Sequence, residues 1–467
     1  MPSHAELASL DLPDFGEPTV EPMIPPDTYL ERFRTLRERA REKGYDCLAV
    51  YGDREHYANI AWLTGYDPRF EEALLLVNTK TDQLPLIIVG NEGLGYVNIS
   101  PIRRQLRVAL YQSFSLVSQP RGDSRPLGDI LRLGGVRRGG KVGVAGWKYY
   151  TKEDGPNPEA TLELPSYLAD ALRKRAGKDN VLNANRLLLH PTEGIRTIND
   201  VDQLARFEWV GTQTSGALRR VLFGLRPGIT ELEAVRLMRL NGLPLSCHLM
   251  LSSGPRAVMG LPSPSSRVIQ SGDYFTTAYG AWGSLNSRAG FVVKSETELP
   301  KQVRDYIPRL LVPYFEAVAA WYGKLRIGAT GGDLWGAVHG VIGDPFFGVH
   351  LNPGHLTSLE EWLSSPSYEG SSERLASGMV VQVDVIPATG TSYASTNIED
   401  TVALTDAPLR RKLRDLYPEA WARIEARREF MTAKLGLEIA PEVLPFSNIP
   451  AYLPPLLLSP GKAMRIA

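Results

Sequence analysis

The spacing of apolar and polar positions changes register several times along the chain. Residues 29–43 place apolar side chains at helical intervals among many Arg and Glu, and Gly44 follows as a stop, which predicts a surface helix. Residues 46–51, 73–77 and 84–89 are short apolar runs that predict buried strands, and 141–144 repeats the pattern after a Gly/Arg-rich turn. With a helical stretch at 165–175, the first 190 residues predict a small α/β domain. It contains no glycine loop of the nucleotide-binding kind. Turn-forming residues at 191–199 lead into a long helical stretch, 201–225, which ends at Arg226-Pro227-Gly228. Thr230 caps the next helix, and Glu233 three residues on completes a capping box. Strands and turns follow from Ser246, then a helical stretch at 303–324, then strands again at 379–404. This order predicts an α+β domain.

The boundaries expected are an extended tail over 1–28, an α/β domain over 29–190, an α+β domain over 195–440 and a Pro/Leu-rich tail over 441–467.

Within the second domain, strand alternation sorts candidate chemistry by face. In 380–385 it puts Gln382 and Asp384 on one side and the valines on the other, and in 397–401 it puts Glu399 beside Asn397 and Thr401. A sheet with one polar, cavity-lining side is the expected result. His355 follows Pro353-Gly354, where a lone His is usually a turn residue bonded to backbone. His350 either lines the same cavity or packs beneath it, and His248 sits in a presumed strand. Arg288 is a surface side chain or a counter-charge to the acidic pair. Glu361 has the default reading of a solvated helix face or a cap. Tyr279 and Trp282 are core aromatics or the walls of a cation pocket.

Composition narrows the class. The 467 residues are 43% hydrophobic and 22% charged, with 52 Lys and Arg against 52 Asp and Glu. That profile is ordinary for a globular protein and supplies no basic stripe for nucleic acid. Two cysteines, Cys47 and Cys247, lie far apart and are expected to be reduced thiols in a cytoplasmic protein. Neither a signal peptide nor a membrane span of roughly 20 apolar residues is legible, so no membrane partner is expected.

Segments in order along the chain resemble the creatinase, prolidase and aminopeptidase P family, the pita-bread fold. Residues 206–231 resemble the two-helix lead-in to its catalytic domain, and 253–256 running to 271–273 resembles the hairpin before its first metal ligand. Gly354-His355 sits where the family has its metal-binding histidine. Gly378-Met379-Val380 opens the strand of its first glutamate, and Ile398-Glu399-Asp400 resembles the motif of its last. The first domain resembles the creatinase-type N-terminal domain, including 59–65. The resemblance implies a pita-bread second domain, and a homodimer.

The family's paired metal ions are held by two aspartates, a histidine and two glutamates, whose carboxylates offset the repulsion between the cations. Here the first aspartate position falls on Ala278 and the second on Asn286 or Ala289; no Asp or Glu occurs between Asp273 and Glu296. A further family histidine falls on Leu261, and the peptidases' later histidine has no clear counterpart near Glu360-Glu361-Trp362. Resemblance therefore leaves His355, Asp384 and Glu399 as the catalytic candidates, with Asn286, Arg288, His350, His248 and Gln382 as substrate contacts. No metal or other cofactor is expected, although His355, Asp384 and Glu399 are a set that one zinc or iron accepts. Three functional readings stay open. The chain is a metal-independent hydrolase of a C–N bond in a small polar molecule, as creatinase is; or an inactive pita-bread module that only binds; or an Xaa-Pro metallopeptidase.

Overall fold

In a computed structural model of the chain, which describes residues 4–467, the apolar runs become strands of three sheets. The chain divides into two compact units, one of residues 24–197 and one of residues 1–23 with 198–467.

The 24–197 unit is a six-stranded mixed sheet in the order Arg107–Leu110, Leu86–Val89, Ala73–Asn78, Cys47–Gly52, Val142–Ala145, Val181–Asn183. Its central strands are buried on both faces, which is why they read as unbroken apolar runs. Leu74, Leu76, Ile88 and Val144 pack with Leu168 and Leu172 of the helix Ser166–Ala176. Cys47 lies in this core, where burial pushes its thiol up to about 12, so it is an inert packing residue.

The larger unit holds a sheet in the order His355–Leu356, Val380–Asp384, Ile398–Leu404, Ser284–Phe291, Tyr274–Ala281, Met250–Ser253, with every pairing antiparallel. The helix Val201–Gly224 packs against the two central hairpin strands. Its N-cap is Asp200, which accepts from the Gln203 amide, and Pro227 prevents its continuation. The capping box at Thr230 and Glu233 is formed. Two helical regions exceed the sequence expectation: Gly331–Ile342, capped by Thr330 with Asp333, and the pair Ala407–Leu416 and Pro418–Ala433. The N-terminal stretch, expected to be an extended tail, contains the strand Ala5–Ser9, which pairs antiparallel with Lys462–Ile466. Among the described residues no helix is long and apolar enough to cross a membrane.

Candidate active site

The sheet of the larger unit separates two chemistries. Cross-strand register aligns Asp384 with Glu399, Glu399 with Ser287, and Ser287 with Ala278, and directly opposed residues of an antiparallel sheet share a face. His355 joins this face through its pairing with Gln382. The other face carries Asn286, Arg288 and Asp400. There the Arg288 guanidinium donates to Asp400 Oδ2 at 2.6 Å, and Asn286 Nδ2 donates to Asp400 Oδ1 at 2.8 Å. Thr214, on the helix Val201–Gly224, donates to Asn286 Oδ1 at 2.8 Å.

Two of the expected substrate contacts are thus placed away from the acidic pair. Asn286 and Arg288 belong to a buried network that holds the sheet to the helix and to the chain around Ile449 and Ala451. Tyr279, opposite Asn286, faces the same way. Gln382 is on the polar face, but both ends of its amide are occupied: it donates to the Leu285 carbonyl at 2.7 Å and accepts from Thr401 at 2.7 Å. His350 and His248 are exposed, and the His248 ring lies 2.9 Å from the Leu261 carbonyl.

Gly354 is what lets His355 reach its place. Its φ is +111°, and a Cβ there would lie 2.8 Å from the Gln382 carbonyl and 3.2 Å from the Trp321 ring. Trp321 in turn donates to the Pro353 carbonyl at 2.7 Å. The chain beyond His355 then folds straight back, with the Leu356 amide bonded to the Ser364 carbonyl and the Leu363 amide to the Leu356 carbonyl. This tight return brings Glu361 and Trp362 against the histidine. The Trp362 ring stacks on the imidazole with centroids 4.2 Å apart, and Glu361 Oε1 lies 2.9 Å from Nε2. The Glu361 contact is close but too bent for a good hydrogen bond, so the attraction is chiefly electrostatic. Asp384 Oδ2 lies 3.8 Å from the same nitrogen.

The sequence reading thus put Glu361 in the wrong environment. It is not on a helix face; it is a partly buried carboxylate beside the imidazole. Trp362, Ser287 and Cys247 were also missed. Ser287 accepts from Asn397 Nδ2 at 2.7 Å on the polar face. Burial and then the charges of Glu361 and Glu399 push the Cys247 thiol up to about 12, which keeps it neutral.

Three carboxylates around one imidazole set the protonation pattern. Burial opposes charge on His355, but Glu361 and then Asp384 outweigh it, and its pKa lies above the usual histidine value. For Asp384, burial raises the pKa and His355 holds it down, leaving it at about 6. Glu399 is raised well above the usual range by burial, then by Asp384 and Glu361, and it donates its proton to Asp384. The acidic pair therefore keeps a shared proton above the ordinary carboxylate range, and the carboxylates around His355 favour its cationic form. Three carboxylates against one imidazole make the site predominantly acidic. Three buried polar atoms here, His355 Nε2, Asp384 Oδ1 and Asn397 Oδ1, lack a hydrogen-bond partner. A buried polar atom without a partner is costly, so these three are places where a ligand or a water would gain a hydrogen bond.

The residues do not fit a pair of divalent ions. The face that would supply two aspartates offers Ala278 with Ser287 and Ala289, a methyl, a hydroxyl and a methyl. Among the described residues no three His, Cys, Asp or Glu side chains are grouped so as to hold even one ion.

No protein-family model matches the sequence, and no curated protein sequence matches it either. Solved structures do match. The prolidase from Thermococcus sibiricus superposes with a TM-score of 0.60 at 18% identity, over 81% of this chain and 95% of that one. The Xaa-Pro dipeptidase from Bacillus anthracis gives 0.59 at 17%, over 81% and 95%. The X-Pro aminopeptidase from Thermotoga maritima gives 0.57 at 15%, over 80% and 95%. A sheet that carries an acidic pair on one face and a histidine on its edge strand lies in a chain that these structures match over four-fifths of its length. The chain has the pita-bread fold of the prolidases and Xaa-Pro peptidases, in a form whose aspartate positions carry no carboxylate.

Proposed function

We propose that the chain is a hydrolase that cleaves a C–N bond of a small cationic molecule without a metal ion. The observation that carries this reading is the grouping of His355 with Glu361, Asp384 and Glu399, buried and left with partnerless polar atoms on the polar face of the sheet. Asp384 and the protonated Glu399 hold the cationic group of the substrate, and the acidic surroundings select for it. Asp384, ionised above about pH 6, takes a proton from the water that attacks the electrophilic carbon. The His355 imidazolium gives its Nε2 proton to the leaving nitrogen as the C–N bond breaks. The two groups, 3.8 Å apart, then exchange a proton and restore the starting state. Glu361 favours the cationic form of His355 against its burial, and Trp362 fixes the plane of its ring.

The test is turnover of a panel of guanidino, amidino and Xaa-Pro compounds by protein stripped with chelator. The reading expects unchanged turnover of a cationic non-peptide member and its loss in His355→Ala. Turnover that vanishes on stripping and returns with added divalent metal overturns it.

One observation favours a second reading, a module that binds without catalysis. The His355 side chain is fully buried, and Glu361 covers the only nitrogen that faces the carboxylates. This reading expects no compound of the panel to be consumed, and His355→Ala to leave cellular function intact.

A further inference from the structure

The 24–197 unit contains a cavity of about 320 Å³ lined by Tyr66, Phe70 and Tyr96 together with Asp67, Glu71 and Glu92. The polar half of this lining is not equivalent. Asp67 is occupied, since the Arg69 guanidinium donates to both of its oxygens at 2.9 and 2.8 Å. Glu92 is exposed at the rim. Glu71 is the unusual one: it is 5% exposed, and its Oε2 accepts from the amides of Glu92 at 3.0 Å and Gly93 at 2.8 Å, while its Oε1 is buried with no partner. A carboxylate oxygen out of water without a donor is costly, and it is tolerated where a ligand completes it.

The apolar half says what kind of ligand. Tyr66 is buried, and its ring meets that of Tyr96 with centroids 5.4 Å apart at 57°, which makes an aromatic corner. Phe70 and Tyr96 are 58% and 41% exposed, so the ring faces that close the cavity are open to solvent at its mouth. Aromatic faces attract cations through their quadrupole, most strongly cations whose charge is spread over weakly hydrated alkyl groups. A lone unpartnered acceptor beside them adds a demand for one N–H.

We infer that this cavity binds an N-alkylated ammonium group that keeps one N–H, such as a dimethylammonium. The N–H donates to Glu71 Oε1, and the methyl groups rest on Tyr66, Phe70 and Tyr96. The site lies wholly within the 24–197 unit and does not depend on the hydrolase reading.

The experiment is a ligand-observed NMR titration of the full-length protein with three probes of similar shape. They are 2-(dimethylamino)ethanol as its hydrochloride, choline, and the uncharged 3,3-dimethylbutan-1-ol. The expected order of affinity is dimethylammonium, then choline, then the uncharged compound, with at least about tenfold between the first and last. Glu71→Gln abolishes the preference for the first probe over the second. Tyr96→Ala, a change at an exposed ring that leaves the thermal melt unaltered, weakens both cations at least several-fold; it decides the matter if the Glu71 variant fails to fold. Equal binding of the uncharged compound, or no binding of either cation to the wild-type protein, overturns the assignment.

Discussion

Glu399 is held in its neutral form by its surroundings, and that has a measurable consequence. Its pKa in the folded chain lies well above the ordinary value of 4.5. A group raised in this way favours folding fully below its unfolded pKa and loses that contribution as pH rises through the folded one. The wild type should therefore lose stability from about pH 4.5 upward, and Glu399→Gln should remove this loss. We expect the variant to be more stable at pH 8 by at least about 1 kcal/mol and no more stable at pH 4, read from thermal melts at both values. On the opposite face the arithmetic reverses. Arg288 and Asp400 are only 0% and 1% exposed, and Asp400→Ala leaves the guanidinium without its counter-ion. That substitution should cost about 3 to 5 kcal/mol in denaturant unfolding, whereas a double change to apolar residues should cost much less.

At the scale of elements, the hairpin return after His355 builds the site. Gly354 is its hinge, with positive φ and a backbone carbonyl where a Cβ would stand. Gly354→Ala should lower the rate of the proposed reaction at least about tenfold and cost about 1 to 3 kcal/mol of stability. A near-normal stability with turnover unchanged would show that the glycine is dispensable. The elements were legible in the sequence to different degrees for physical reasons. The alternation in 380–384 and 397–401 placed Gln382 with Asp384 and Glu399 with Thr401, and the register Gln382 to Thr401 and Asp384 to Glu399 agrees. Alternation is local, so one strand suffices to read it. The facing of Asn286 and Arg288 was not legible, because it depends on pairing to another strand, and a slip of one residue exchanges the faces. Glu361 was hidden for a similar reason: two backbone hydrogen bonds between residues 356 and 364 bring it back to His355, and no periodic pattern encodes such a turn. The helices Ala407–Leu416 and Pro418–Ala433 went unread although the first is amphipathic and capped by Asp406, a signal of the ordinary kind.

For the whole molecule, short motifs in order suggested the fold, and solved structures at 15 to 18% identity share it over about four-fifths of the chain. Where the resemblance expects two aspartates, the sheet carries Ala278 and Asn286 or Ala289, and Asp384 and Glu399 face each other with His355 beside Asp384. The rate of the proposed reaction should then follow a bell-shaped pH profile. Its acid limb lies near pH 6, where Asp384 takes up its proton, and its alkaline limb lies above the usual histidine value, where His355 loses one. The most direct test is the metal content of protein equilibrated with manganese, cobalt and zinc and then desalted, measured beside Asp384→Asn. The account predicts trace metal in both. Two ions per chain in the wild type, lost in the variant, would contradict it.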